Sequence, residues 1–394
     1  MKLLVLTQYF WPENFRINDV VEGLASRGHE VTVYTALPNY PAGTLFEGYS
    51  ALGPFSNDFH GVKVRRVPLI PRGGGGRVRL ALNYLSHALM ATLLAPFQAK
   101  GKFDAILVYE PSPMTIGIPA RALRALKGAP LVFWVQDLWP ESLAATGAVR
   151  SPAVLSLVGR LIKWIYRGCD RVLVQSEAFI ASVEAHGVPR ERIGYLPNSA
   201  EGFYRKLPPE PHQGFCVMYA GNIGAAQDFP TILAAAERVR DVQWIIVGDG
   251  RMRAWVESEV RTRGLSNVRL LGQRPAEEMP RLFAQADVLL ATLRREPIFA
   301  YTIPSKIQSY LACGRPVIAA MEGEGGRIIR SAGAGWAVPP EDPAALAEAV
   351  LAASRASRSE LDAMGNRGEA WFREHFEREK LLSRLESFLR EVKK

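Results

Sequence analysis

The chain has 394 residues, 48% apolar and 22% charged, which at roughly 150 residues per domain favours two compact units and excludes an intrinsically disordered chain. Forty-eight Lys and Arg against 39 Asp and Glu leave a formal charge of +9, which suits anionic partners such as phosphates or acidic lipid and is too small to indicate a nucleic-acid-binding protein. Three cysteines, Cys169, Cys216 and Cys313, lack the short spacing of a zinc or iron–sulfur site, so no metal is expected and a reducing, cytoplasmic compartment is.

The N-terminal MKLLVLTQ reads as a first strand, its apolar run being too short for a signal-peptide core. Further strands are expected in VTVYTA from Val31, VKVRRVPL from Val62, AILVY from Ala105, LVFWVQ from Leu131 and RVLVQS from Arg171, with helical patterns between most of them. Between Arg79 and Lys100 no residue is charged, about the length of a bilayer span, but Asn83, Ser86, His87, Thr92 and Pro96 make a lipid-embedded helix costly. A buried domain helix is the first expectation for residues 80–97. The second is an interfacial helix announced by Arg72, Arg77 and Arg79 around four glycines.

Residues 196–214, LPNSAEGFYRKLPPEPHQG, hold four prolines and no periodicity and read as a linker. The alternation then restarts with FCVMYAG from Phe215, VQWIIVG from Val242, VRLLG from Val268, VLLAT from Val288 and PVIAAM from Pro316. Asp342 and Pro343 start a helical region, and an amphipathic stretch from Glu377 to Val392 is placed to cross back onto the first domain. Strands apolar on both faces and separated by helices predict two doubly wound, Rossmann-like α/β domains, residues 1–200 and 201–373, followed by the crossing helix at 374–394. Ligands of such sheets bind beyond the carboxyl ends of the strands, so function is sought in those loops.

Five loops carry signals. In IPSKIQSYLACGRP, Pro304 and Ser305 open a helix that Gly314 and Pro316 close, so Lys306 lies in the first turn, where the dipole disfavours a cation unless an anion sits there too. EGEGGRIIR opens a helix on Gly323, Gly325 and Gly326, with Arg327 in its first turn. YAGNIGAAQD offers Gly221 and Gly224 for close backbone approach, without the glycine spacing of a dinucleotide fingerprint. In the first half, QYFWPENFR and QDLWPES repeat Trp-Pro-Glu at 11–13 and 139–141, and tryptophans beside carboxylates suit sugar rings.

With RGHEVTVYTALPNYPAG, VQDLWPES, LVQSEAF, YLPNS, YAGNIGAAQDF, IVGDG, NVRLLGQ and the PSK helix in this order, the chain resembles the retaining glycosyltransferases of family 4, which have the GT-B fold. It is most similar to the bacterial branch of N-acetylfucosaminyltransferases of O-antigen and capsule assembly. The resemblance implies a nucleotide-diphosphate sugar bound by the second domain and an acceptor bound by the first. It assigns Gly221, Asn222, Gly224, Arg274, Tyr301, Ser305, Lys306, Ser309 and Arg327 to the donor, and Glu13, Asn14, Arg16, Trp139, Glu141 and Asn198 to the acceptor. Departures from the family pattern are Tyr301 and Ser309 where many members carry two Glu, Asn222 and Gln227 where the diphosphate loop carries Arg and Lys, and Tyr109 where a His is common.

Sugar transfer leaves a diphosphate, whose developing charge a helix amino end and Lys306 are suited to stabilise. Asp137 and Glu110 are the candidates to orient or deprotonate the acceptor hydroxyl. The expected reaction moves a hexose or deoxyaminosugar from a uridine diphosphate donor, or as the second choice a guanosine diphosphate donor, without a further cofactor, to a lipid-linked or growing glycan at the inner face of the cell membrane. The rival readings are a sugar-nucleotide 2-epimerase of the same architecture, a non-catalytic sugar-nucleotide-binding protein and, most remotely, a dehydrogenase.

Overall fold

The structure is a computed structural model and describes residues 1–393. It divides into two units, one comprising Met1–Pro197 and the segment from Leu381 on, the other Asn198–Lys380.

The first unit is built on eight strands: β1 (Lys2–Leu6), β2 (Glu30–Ala36), β3 (Ser56–Phe59), β4 (Val62–Val67), β5 (Ala105–Glu110), β6 (Leu131–Val135), β7 (Arg171–Val174) and β8 (Ile193–Tyr195). Their order is β3-β4-β2-β1-β5-β6-β7-β8, and every pairing is parallel except β3 with β4. All residues of β5 and β6 are buried, as expected of strands covered on both faces by crossover helices. The C-terminal helix Arg378–Glu391 lays Leu381, Leu382, Leu385, Phe388 and Leu389 into the core that holds Leu3, Val31 and Leu173. Gly194 in β8 makes room for it, since a Cβ there would stand 2.8 Å from the Phe388 ring. His29 and Arg27 hold Glu386 of the same helix at 2.6 and 3.2 Å.

The second unit has six strands, β9 (Phe215–Ala220), β10 (Val242–Val247), β11 (Val268–Gly272), β12 (Val288–Thr292), β13 (Val317–Ala320) and β14 (Gly335–Val338). All are parallel, in the order β11-β10-β9-β12-β13-β14. The eleven strands expected from apolar runs are present. The three not foreseen, β3, β8 and β14, lie at sheet edges, have three or four residues, and in β3 and β14 are largely unburied, so little apolar patterning marks them.

The charge-free stretch forms the helix Arg77–Gln98, and the expectation that it is buried is corrected. Its inward face consists of Asn83, His87, Ala88, Ala91 and Ala95, while Leu85, Leu89, Leu93 and Phe97 face solvent at 56 to 69% exposure. Small inward residues let the helix approach the sheet closely enough for the Tyr34 hydroxyl to donate to the Ala91 carbonyl at 2.8 Å.

Candidate functional site

In the second unit the carboxyl ends of the parallel strands are stitched together through their loops. Gly221 N–H donates to the Val247 carbonyl (2.9 Å), Ile223 N–H to Asp249 (2.7 Å) and Gly248 N–H to Gly272 (2.8 Å). The loops approach so closely that a Cβ at Gly248 would stand 1.9 Å from the Gly221 oxygen, and one at Gly250 2.4 Å from the Ile223 oxygen. Beside them lies the helix Ser305–Ala312, whose preceding residue, Pro304, supplies no side-chain cap. Tyr310 braces it against the strands, its hydroxyl accepting from Ala220 N–H at 3.0 Å and lying 3.3 Å from the Leu290 carbonyl.

Lys306, in the first turn, folds over β9. Its Nζ sits 3.9 Å from the centre of the Tyr219 ring and 3.2 Å from where a Gly221 Cβ would be. The ammonium is buried without a hydrogen-bond partner. Burial lowers its pKa from 10.5 to about 7. The Tyr219 face supplies the one favourable contact, a cation–π interaction, while the Tyr219 hydroxyl donates to the Asn222 carbonyl at 2.7 Å and so shapes the glycine loop. A cation kept dry at an uncapped helix amino end, among glycine loops, is a seat for an anion.

In the first unit the loops after β1, β2, β5 and β6 form a polar and aromatic group. Asp137 accepts from Ser142 Oγ at 3.1 Å and Trp139 Nε1 at 3.3 Å, and its carboxyl is pushed above the ordinary range chiefly by burial. Glu110, at the end of β5, is fully buried with neither oxygen hydrogen-bonded; burial first and the Asp137 charge second raise its pKa well above the usual value. Arg72 lies over the Tyr40 ring at 5.0 Å and reaches the Tyr9 hydroxyl at 3.2 Å, and the Tyr84 and Trp139 rings are 6.2 Å apart.

With this geometry established, comparison with known proteins is decisive for class. Residues 14–199 match the family model described as a glycosyl transferase 4-like domain, and residues 214–355 that of glycosyl transferases group 1. The chain belongs to the glycosyltransferases. The putative colanic acid biosynthesis glycosyl transferase WcaI of Escherichia coli (strain K12) is 28% identical over 335 residues, 80% of this chain and 82% of that protein. Among solved structures, sucrose-phosphate synthase from Thermosynechococcus elongatus aligns with a TM-score of 0.76 at 18% identity, covering 100% of this chain and 99% of that one. Anabaena Alr3699/HepE in complex with UDP aligns with a TM-score of 0.72 at 17% identity, covering 99% of this chain and 100% of that one. These neighbours identify the architecture as GT-B.

The glycosyltransferase distributes the residues expected from its sequence unevenly. Lys306 and Ser305 open the helix and Lys306 reaches Gly221, while Asn222 and Gly224 lie further along the same loop, with Ser305 and Asn222 exposed. Arg274 is exposed in the loop after β11, and Tyr301 is exposed at the end of the short helix Pro297–Tyr301 that follows β12. Two donor assignments are corrected. The Ser309 hydroxyl is buried and donates to the Ser305 carbonyl of its own helix at 3.2 Å. Arg327 is held in a two-pronged ion pair by Glu324, at 2.8 and 2.7 Å, so its guanidinium is already neutralised. The glycines of that helix serve packing: a Cβ at Gly323 would stand 1.8 Å from the Ala300 oxygen, and one at Gly325 2.4 Å from Met321 Sδ.

In the first unit Asn14 is exposed and Arg16 half-buried; Asn198, assigned to the acceptor with them, is half-buried and belongs to the second unit. Trp139 is buried, whereas Trp11 is 38% exposed. Glu141 binds the Ser182 hydroxyl. Glu110, a candidate to orient or deprotonate the acceptor hydroxyl, is fully buried beside Asp137, and burial holds its pKa well above the usual carboxylate value. Glu13 is corrected too: its carboxylate is buried and accepts the backbone N–H groups of Asn39 (2.8 Å), Tyr40 (2.8 Å) and Phe10 (3.1 Å), clamping two loops. Replacing Glu13 by Ala strands these donors and is expected to destabilise the first unit by about 3 kcal/mol, read as a lowered midpoint in urea; an unchanged midpoint would return Glu13 to the surface.

Sequence reasoning missed Tyr219, Tyr310 and Gly248, and it read Arg72 as a membrane-facing cation where the structure sets it on Tyr9 and Tyr40. Tyr219 stands two residues before Gly221 in FCVMYAG, yet nothing local shows that a lysine 87 positions later rests on its ring.

Proposed function

We propose that the protein transfers a sugar, a hexose or deoxyaminosugar, from a UDP-linked donor to a lipid-linked or growing glycan at the cytoplasmic face of the membrane, with retention of configuration. Support comes from the names of its relatives, a colanic acid biosynthesis transferase and a GT-B protein solved with UDP. The observation that carries the reading is Lys306: an unpartnered, buried ammonium at the amino end of a helix is a poor structural device and a good receptor for pyrophosphate.

In the reaction the bond between the anomeric carbon and the β-phosphate oxygen breaks, and its electron pair passes to the leaving pyrophosphate. Lys306 and the helix amino end stabilise that charge more strongly than the charge of the intact donor, which is what accelerates the step. The acceptor oxygen bonds to the anomeric carbon and loses its proton. We assign the receiving or orienting of that proton to Asp137, whose pKa burial raises above the ordinary carboxylate value.

The test is a panel of nucleotide sugars offered with a polyprenyl-diphosphate-linked acceptor, with released UDP measured against glycan formed and the new linkage assigned by NMR. Equal amounts of UDP and a product of unchanged anomeric configuration are expected. An inverted product removes the retaining assignment, a C2-epimerised sugar formed without acceptor makes the protein an epimerase, and tight UDP binding with no product from any donor makes it a sensor.

A further inference from the structure

We infer that one face of the first unit is a docking surface for an anionic lipid bilayer, centred on the outward stripe of the helix Arg77–Gln98. This deepens the lipid-linked acceptor reading above and rests on it only for its purpose, since every observation comes from the first unit. Val78, Leu82, Leu85, Leu89, Leu93 and Phe97 recur at three- or four-residue spacing and so share one side of the helix. All are exposed, from 43% at Leu82 to 75% at Val78. The helix is inverted relative to an ordinary surface helix, with its asparagine, histidine and alanines inward and its leucines outward.

It does not cross a membrane as a free span, because its inner face is bound into the unit. Asn83 accepts from Gln8 Nε2 at 2.9 Å and donates to the Ile70 carbonyl at 2.7 Å, and His87 is fully buried. The geometry left to it is lying flat, with the stripe in the headgroup and acyl boundary.

Charge selects the occupant. The helix Gly117–Lys127 packs against Arg77–Gln98 and, through Gly117 against Ile165, against the helix Pro152–Arg167. These three neighbouring helices contain eight Lys and Arg and no Asp or Glu. Asp170 neutralises Arg124 of the group. The third helix adds exposed Val154, Leu157 and Trp164, with Arg121 lying over the Trp164 ring at 4.3 Å. A leucine stripe beside cations of one sign fits a surface that offers hydrocarbon and negative charge together. A second copy of the chain would set these like charges against each other across a two-fold axis.

The experiment is vesicle flotation with the full chain, using phosphatidylcholine alone and phosphatidylcholine mixed with phosphatidylglycerol. Three proteins are compared: the wild type, the triple variant Leu85→Gln, Leu89→Gln, Leu93→Gln, and the double variant Arg77→Glu, Arg79→Glu. Only exposed side chains change, and UDP binding, measured in parallel, checks that all three are folded. The wild type is expected to float with the anionic vesicles. The leucine variant should lose at least about tenfold in partitioning at every salt concentration, and the arginine variant a similar amount at low salt, shrinking as salt screens the wild type. The proposal is overturned if the wild type ignores both vesicles, if all three float alike, or if the leucine variant merely turns a wild-type dimer into a monomer. Failure of all three to bind UDP would count against the donor reading and leave the flotation result to decide this one.

Discussion

Replacing Lys306 by Met is expected to lower transfer by about two to three orders of magnitude while leaving the free protein as stable as before or more so. The two halves of this result have one cause. In the free protein the ammonium is desolvated with only the Tyr219 ring for company, so removing it costs the fold nothing. In the proposed reaction the same ammonium faces the charge that builds on the pyrophosphate, and removing it would leave that charge to the helix end alone. The sign of the pH dependence follows. With the pKa lowered from 10.5 to about 7, the unfolded chain binds a proton between these values that the folded protein does not, so stability rises with pH across this window. Methionine abolishes the rise.

A bound nucleotide-diphosphate sugar, which has no group of its own titrating near neutrality, raises the lysine pKa again and takes up a proton. Donor affinity is therefore greatest below pH 7 and declines above it, by up to about tenfold per pH unit until the pKa of the complex is reached. Arginine at this position keeps its charge and flattens the dependence. Calorimetric titration of donor binding at several pH values, with thermal melts of the free proteins, makes the comparison. Transfer by the methionine variant within threefold of wild type would remove Lys306 from the site.

The second large effect concerns the glycine loops. An alanine at Gly248 would place its Cβ 1.9 Å from the Gly221 oxygen, at a backbone φ of 138° that side chains rarely adopt. The obstacle is backbone, so the loops must separate. The expected cost exceeds about 3 kcal/mol, which for a unit of this size lowers the melting temperature by roughly 10 °C. Donor binding should fall further than stability explains, because Gly221 moves with its oxygen and carries the floor beneath Lys306. Alanine at Gly264 is the control: φ is 58° and nothing lies within 4 Å of the added carbon. Only the left-handed backbone is penalised there, at about 1 kcal/mol. Melting curves of the two variants side by side decide, and equal losses would show that the close approach of the loops contributes nothing.

The repeated Trp-Pro-Glu illustrates where reading residues in order stops. Both copies look like sugar-facing loops, yet Glu13 is spent on three backbone N–H groups while Glu141 binds a serine hydroxyl, and Trp11 is exposed where Trp139 is buried. What separates them is the neighbouring strand each loop meets, which lies far away in sequence. Arg327 is different: Glu324 stands three residues before it on one helix face, a local pairing that the donor assignment overlooked.

The sequence by itself determined the parallel body of the two sheets, because strands covered on both faces must be apolar throughout, and it determined the helix that carries Lys306, because proline and glycine punctuate both ends. Local rules suffice for such features. The tertiary structure alone decided that the ammonium is dry and lies on Tyr219, that Glu110 is sealed beside Asp137, and that the helix Arg77–Gln98 turns most of its leucines outward. Burial depends on which surfaces meet, and these contacts join residues dozens of positions apart, where no periodicity reaches.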